Sequence, residues 1–323
     1  MGQTAARHGA VGAAGLACAF GGASLWGLSF VVPLFMTGIS AWDVSLGRYL
    51  VFGTIGAAFI LRARASGRGL TGRQWAKAFV FAATGYYGCY TAMVMAIEAG
   101  GAALPTLVMG LTPVSVAVAS NLRTRETSFL SLAGPLACIG AGLVLVNLAR
   151  HSQGLGGGNL VVCMAASVAA LAMLTYYLVA NIEFLIRNPE LTPLTWANAT
   201  GCALLVFALA ALGARLAVGN GFPWEGTPTG AVQYGLCCLI LGLAVSWLGG
   251  VLWNKANALL PPTLAGQCIV FWPLSGIIYA YVLQRAFPGG REILGMSLIF
   301  AGVVWGIRAA GKSSRQGRAA EKK

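Results

Sequence analysis

A chain of 323 residues with 58% hydrophobic and only 9% charged side chains does not have the polar surface to cover two soluble domains. Its formal net charge of +13 falls on short stretches between apolar runs and on the segment 311–323, "GKSSRQGRAAEKK". That distribution reads as membrane topology and not as a nucleic-acid face. The eight Cys lie in or beside apolar runs without metal-ligand spacing, and His8 and His151 fall outside those runs. No metal site, disulfide framework or cofactor is expected.

In chain order, apolar segments cover 11–36, 42–61, 75–97, 102–121, 129–148, 158–180, 193–217, 230–253, 262–284 and 291–309. Each is long enough to cross a bilayer as a helix. The first follows Arg7 and is too long for the apolar region of a signal peptide. With the N-terminus inside, sixteen Lys and Arg fall on the inner side, among them Arg62, Arg64, Arg68, Arg73 and Lys77. Only Arg150, Arg215, Arg285 and Arg291 fall outside, and this imbalance obeys the positive-inside rule. The expectation is an all-α polytopic protein of the inner membrane with ten transmembrane helices and both termini cytoplasmic.

Segments 104–146 and 262–304 share an ordered pattern. Both open with Pro and small residues, reach a proline near the middle of an apolar run (Pro113, Pro273), pass a basic loop and enter a Gly-containing run. This implies two five-helix halves, 1–150 and 155–310, followed by a basic cytoplasmic tail, 311–323. Five is odd, so the second half enters the membrane from the opposite side, as an inverted repeat. Interrupted spans at matching places in inverted halves point to the central site of a transporter. A proline frees a carbonyl and bends its helix, and next to a cavity that carbonyl meets substrate or water. A simple kink is the competing reading.

Four stretches carry a family resemblance: "SLWGLSFVVP" (24–33), Arg48 in "SLGRYLVFG", "YTAMVMAIEAGGAALPTLVMGLTPV" (90–114) and "GVLWNKANALLPPTLAGQCIVFWPLSG" (250–276). The chain resembles the drug/metabolite transporter superfamily, in particular its ten-helix EamA-like exporters. The resemblance implies export of amino acids or other small metabolites through a central cavity by alternating access. One departure is that the sixth segment lacks the Trp often found there, where Tyr176 and Tyr177 stand instead.

The eight acidic residues all fall in loops or at span ends, so no carboxylate sits at the middle of a span. Proton relays and cation sites need one there. A neutral or zwitterionic solute, moved without a buried carboxylate, fits better. Glu98 is the one candidate proton carrier, against the simpler role of a helix-end residue in water. Arg48, about six residues into the second span, either binds a substrate carboxylate or ties down carbonyls or a loop. Lys255 reads as a snorkelling cation or as an attractor of anions at the inner mouth. Asn254, and Gln267 in the ninth span, are buried amides that need partners, whether a neighbouring helix or a substrate.

Among the aromatics, Trp42, Trp75, Trp224 and Trp305 fit the bilayer interface. Trp26, Tyr86, Tyr90, Tyr176, Tyr177, Trp253 and Trp272 lie deeper, and with Ser29, Met109, Pro113 and Pro273 they make a candidate lining for a small apolar or aromatic amino acid. Core packing explains each of them singly. The expected partners are a small-molecule substrate and the lipid bilayer, not nucleic acid; monomer and oligomer stay open. A nucleotide-sugar or phosphorylated-metabolite carrier would need more cations than Arg48 and Lys255. A membrane enzyme would need a nucleophile with its base or a metal set within the spans, and the tail is too short for a receptor's signalling domain. A channel is the remaining rival.

Overall fold

A computed structural model describes residues 2–65, 69–100, 103–124, 133–135, 137–142, 144–145, 159–260, 268–269, 271–285, 287, 289–291, 293–302 and 304–305. All regular structure among them is helical. Six stretches are long and apolar enough to cross a membrane: Gly12–Phe35, Ala41–Ala65, Gly72–Gly100, Leu160–Arg187, Pro193–Ala217 and Ala231–Leu259. The molecule is therefore a polytopic α-helical membrane protein. Shorter helices occupy the remaining apolar segments.

The first helix, α1 (Gly2–Gly27), gives way to two 3₁₀ turns that carry the chain to Phe35. Helix α2 (Ala41–Ala65) starts on two side-chain caps: Ser40 Oγ accepts from the Asp43 N–H, and Glu98 Oε1 accepts from the Ala41 N–H at 2.9 Å. Helix α3 (Gly72–Gly100) is one 29-residue element with a π-helical stretch, Ala82–Gly88, in its middle. Helices α4 (Ala103–Gly110) and α5 (Thr112–Thr124) come next, followed by the short α6 (Ala133–Gly142). Helix α7 (Leu160–Arg187) is capped by Asn159, and α8 (Pro193–Ala217) by Thr192 with Pro193 in its first turn. Helix α9 (Ala231–Leu259) is again 29 residues long and again π-helical in the middle, at Ile240–Leu248. Helices α10 (Phe271–Gln284) and α11 (Ile293–Gly302) complete the described chain.

Packing follows a twofold scheme. Helices α2 and α8, each 25 residues long, form the closest pair. Gly53 and Gly201 let them touch backbone to side chain, since a Cβ on Gly53 would lie 2.5 Å from Leu205. The N-terminal part of α3 leans on α8 and its C-terminal part on α7; the N-terminal part of α9 leans on α2 and its C-terminal part on α1. In both helices the change of partner coincides with the π turns.

Two sequence expectations change. The segment "NIEFLIRNPE" is not a loop, because α7 runs through Arg187 and buries Asn181 and Ile182. Pro113 does not kink a continuous helix. The chain breaks at Leu111, and Pro113 stands second in α5, in a first turn where no helical N–H bond is lost. Pro273 likewise stands third in α10.

Candidate functional site

Where α1, α9 and α10 meet, three indoles gather. Trp26 lies 5.2 Å from Trp253 and 6.3 Å from Trp272, ring centre to ring centre. Helix α1 ends at Gly27, so the Trp26 carbonyl has no helical partner, and it accepts from Ser29 Oγ (2.6 Å) and Trp272 Nε1 (3.0 Å). Phe30 stacks on the other side of Trp272. Gly249 makes room for Trp26, since a Cβ there would lie 2.8 Å from its ring.

The same arrangement recurs where α3 meets α7. Tyr86 and Tyr177 lie 5.3 Å apart, their hydroxyls share a 3.1 Å hydrogen bond, and Gly85 makes room for the Tyr177 ring. Phe81 and Phe52 close this cluster. Met109 is buried at the end of α4, where its carbonyl accepts from Thr112 Oγ1. Ser115, two residues past Pro113, meets Thr175 of α7 at 2.7 Å.

A polar thread ties the clusters together. Asn181 on α7 donates to Asn254 Oδ1 on α9 (3.2 Å) and accepts from Trp196 Nε1 on α8 (2.7 Å). All three are buried. One turn beyond Asn254, the Asn257 amide is buried with no hydrogen-bond partner at either end, and Trp253 Nε1 is unpartnered too. Such groups are rare in folded proteins and invite a polar solute or water.

Toward the other end, Arg48 on α2 donates from Nε to Ser246 Oγ at 2.7 Å and lies over the Tyr90 ring. Ser246 in turn donates to the Leu241 carbonyl five residues back, within the π turns of α9. Asp43 near the start of α2 is paired with Arg215 near the end of α8 at 2.7 Å.

The structure thus brings Trp26, Ser29, Trp253 and Trp272 together, Tyr86 with Tyr177, and Arg48 with Tyr90. It separates Tyr176, 38% exposed, from buried Tyr177. Lys255 is exposed beside buried Asn254, and Glu98 caps α2. Gln267 lies outside the described residues. Asn181, Trp196, Ser246 and Asn257 were not singled out in the sequence. Asn181 was obscured by the charged residues after it, although an Asn four residues beyond a Tyr pair continues the same helical face. Among the described residues no three His, Cys, Asp or Glu side chains group as metal ligands.

These features define a multi-pass helical membrane protein with a buried aromatic and polar interior. No known family model matches the chain. It is 32% identical over 297 residues to the inner membrane protein YtfF of Escherichia coli (strain K12), across 88% of this chain and 92% of that one. The chain belongs to the family of that inner membrane protein. It also shares its fold with a protein known from a crystal structure, at a TM-score of 0.68 and 17% identity, over 90% of this chain and 97% of the other.

Proposed function

We propose that this protein is a secondary transporter of the EamA-like drug/metabolite type, exporting amino acids or related small neutral or zwitterionic metabolites by alternating access. In this reading ten spans form two inverted five-helix repeats, 1–150 and 155–310, with both termini cytoplasmic. The observation that carries it is the twofold correspondence of α1 and α9 with α7 and α3. Each pair joins an aromatic side chain to a 29-residue, π-interrupted helix over a glycine, at ring separations of 5.2 and 5.3 Å. Related halves of this kind carry the rocking motion of alternating access. The unpartnered Asn257 amide and Trp253 N–H supply the few polar groups that a small-molecule site needs amid apolar walls.

The test is uptake of a labelled amino-acid panel, with aromatic and branched members, into proteoliposomes with and without a pH gradient. Saturable uptake of one class, unmoved by the gradient and reduced in Asn254→Ala, is the expected result. No amino-acid uptake, with uptake of a nucleotide sugar or sugar phosphate instead, would replace the substrate class. Strong acceleration by the gradient would make Glu98 the next residue to neutralise.

A further inference from the structure

Arg48 is a cation with an unusual address. It stands seven residues into α2, about 10 Å along the axis from its start, and is 6% exposed. A buried charge needs a counter-charge or full hydrogen bonding. No carboxylate among the described residues is ion-paired with it. Asp43, the acid nearest to it on the same helix, is committed to Arg215. Ser246 fixes one N–H of the guanidinium, and the rings of Tyr90 and Tyr49 lie 4.5 and 5.4 Å from its central carbon. Both phenol hydroxyls are buried, and neither donates its proton to any group. The surroundings therefore hold a planar multiple donor and two spare O–H donors, but no acceptor of opposite charge. That donor set matches a carboxylate, whose two oxygens accept from a guanidinium side by side.

We infer that Arg48, held by Ser246 and flanked by Tyr49 and Tyr90, binds the carboxylate of the transported solute. This rests on the transport reading and narrows its cargo to carboxylate-bearing molecules. Arg48 supplies the charge, Tyr90 and Tyr49 supply neutral donors, and Ser246 positions the guanidinium without touching the ligand. The π turns of α9 place Ser246, so the carboxylate site is coupled to the helix that carries Trp253 and Asn254.

The test is equilibrium binding to the full chain in lipid nanodiscs, in chloride-free buffer. The probes are leucine and phenylalanine, their deaminated acids (isocaproate, hydrocinnamate), their decarboxylated amines (isoamylamine, phenethylamine), and chloride. The amino acids and deaminated acids are expected to bind and the amines are not. Tyr90→Phe should weaken the carboxylate probes about tenfold, the loss of one hydrogen bond to a charged group, and Arg48→Gln by more. Arg48→Lys keeps the charge and should retain part of the binding, which guards against a variant that merely misfolds. The inference is overturned if Tyr90→Phe and Arg48→Lys bind the acids as the parent does, if no carboxylate binds, or if chloride alone binds. Deaminated acids binding without the amino acids would keep the carboxylate site and remove amino acids as cargo. Amino acids and amines binding alike, indifferent to Arg48, would keep the carrier and overturn the site.

Discussion

The hydroxyls of Tyr86 and Tyr177 meet at 3.1 Å across the contact between α3 and α7, both side chains being buried. Phenylalanine at either position keeps the ring and strands one hydroxyl, so each single change should cost about 1 kcal/mol, with the double variant costing less than the sum. Thermal unfolding of the purified protein in detergent, set out as a double-mutant cycle, measures this. Additive losses would mean that the two hydroxyls are not coupled. Gly85→Ala is the harsher change, because its Cβ would enter the Tyr177 ring; about 1–3 kcal/mol is expected. Gly235→Ala meets nothing within 4 Å in α9 and should be neutral or mildly stabilising.

Asn181 serves two partners and Asn254 one of them. Asn181→Ala strands both Trp196 Nε1 and Asn254 Oδ1, whereas Asn254→Ala strands only an Asn181 N–H. The first should therefore destabilise more than the second. Hydrogen bonds between membrane helices average about 0.6 kcal/mol each, so the difference should be of that order. Unfolding in mixed micelles ranks the two variants, and equal losses would contradict the bridging geometry.

Much of this framework is legible in the sequence, for physical reasons that differ from place to place. Helix α8 spans 193–217 as read, because Thr192 and Pro193 form a cap and first turn that few other structures use. Arg48 stands out because a charge so far inside an apolar run is costly anywhere. Its anchor, Ser246, does not stand out, since a small hydroxyl satisfies itself on its own helix at negligible cost. The π turns are silent for a related reason: "AATGYYG" and "ILGLAVSWL" are as apolar as any α-helical span, and only long-range packing selects the wider turn. The Asp43–Arg215 pair joins residues 172 positions apart, beyond any periodic pattern.

That pair gives a third prediction. Arg215 Nη1 reaches both Asp43 oxygens, at 2.7 and 2.9 Å, and Arg215 Nε donates to the Gly221 carbonyl. The contact therefore staples the α8–α9 loop to the start of α2. Asp43→Asn should loosen the loop, measured as faster limited proteolysis near 219–226, while costing at most about 1 kcal/mol because both side chains are partly hydrated. Raising the ionic strength should narrow the difference between variant and parent. Unchanged cleavage in Asp43→Asn would show that the loop is held by other contacts.

Pro113 supplies the fourth. A proline inside a continuous helix costs about 3 kcal/mol, so replacing it there would raise the melting temperature by several degrees. In the first turn of α5 it removes no helical bond, and Pro113→Ala should change stability by less than about 1 kcal/mol. A large gain in thermal stability would indicate that α4 and α5 form one bent rod.

The wide turns in α3 and α9 have a genetic consequence. A π turn holds one residue more than the α turn it replaces, and each residue rotates an α-helix by about 100°. Deleting a single codon within Ala82–Gly88 or Ile240–Leu248 would return the stretch to α geometry and swing everything downstream onto another face. Tyr90 would leave Arg48, and Trp253 would leave Trp26. The choice of neighbour for half of each long helix is thus written in reading-frame-preserving length, a determinant that substitution libraries pass over and that single-residue deletion scanning would expose.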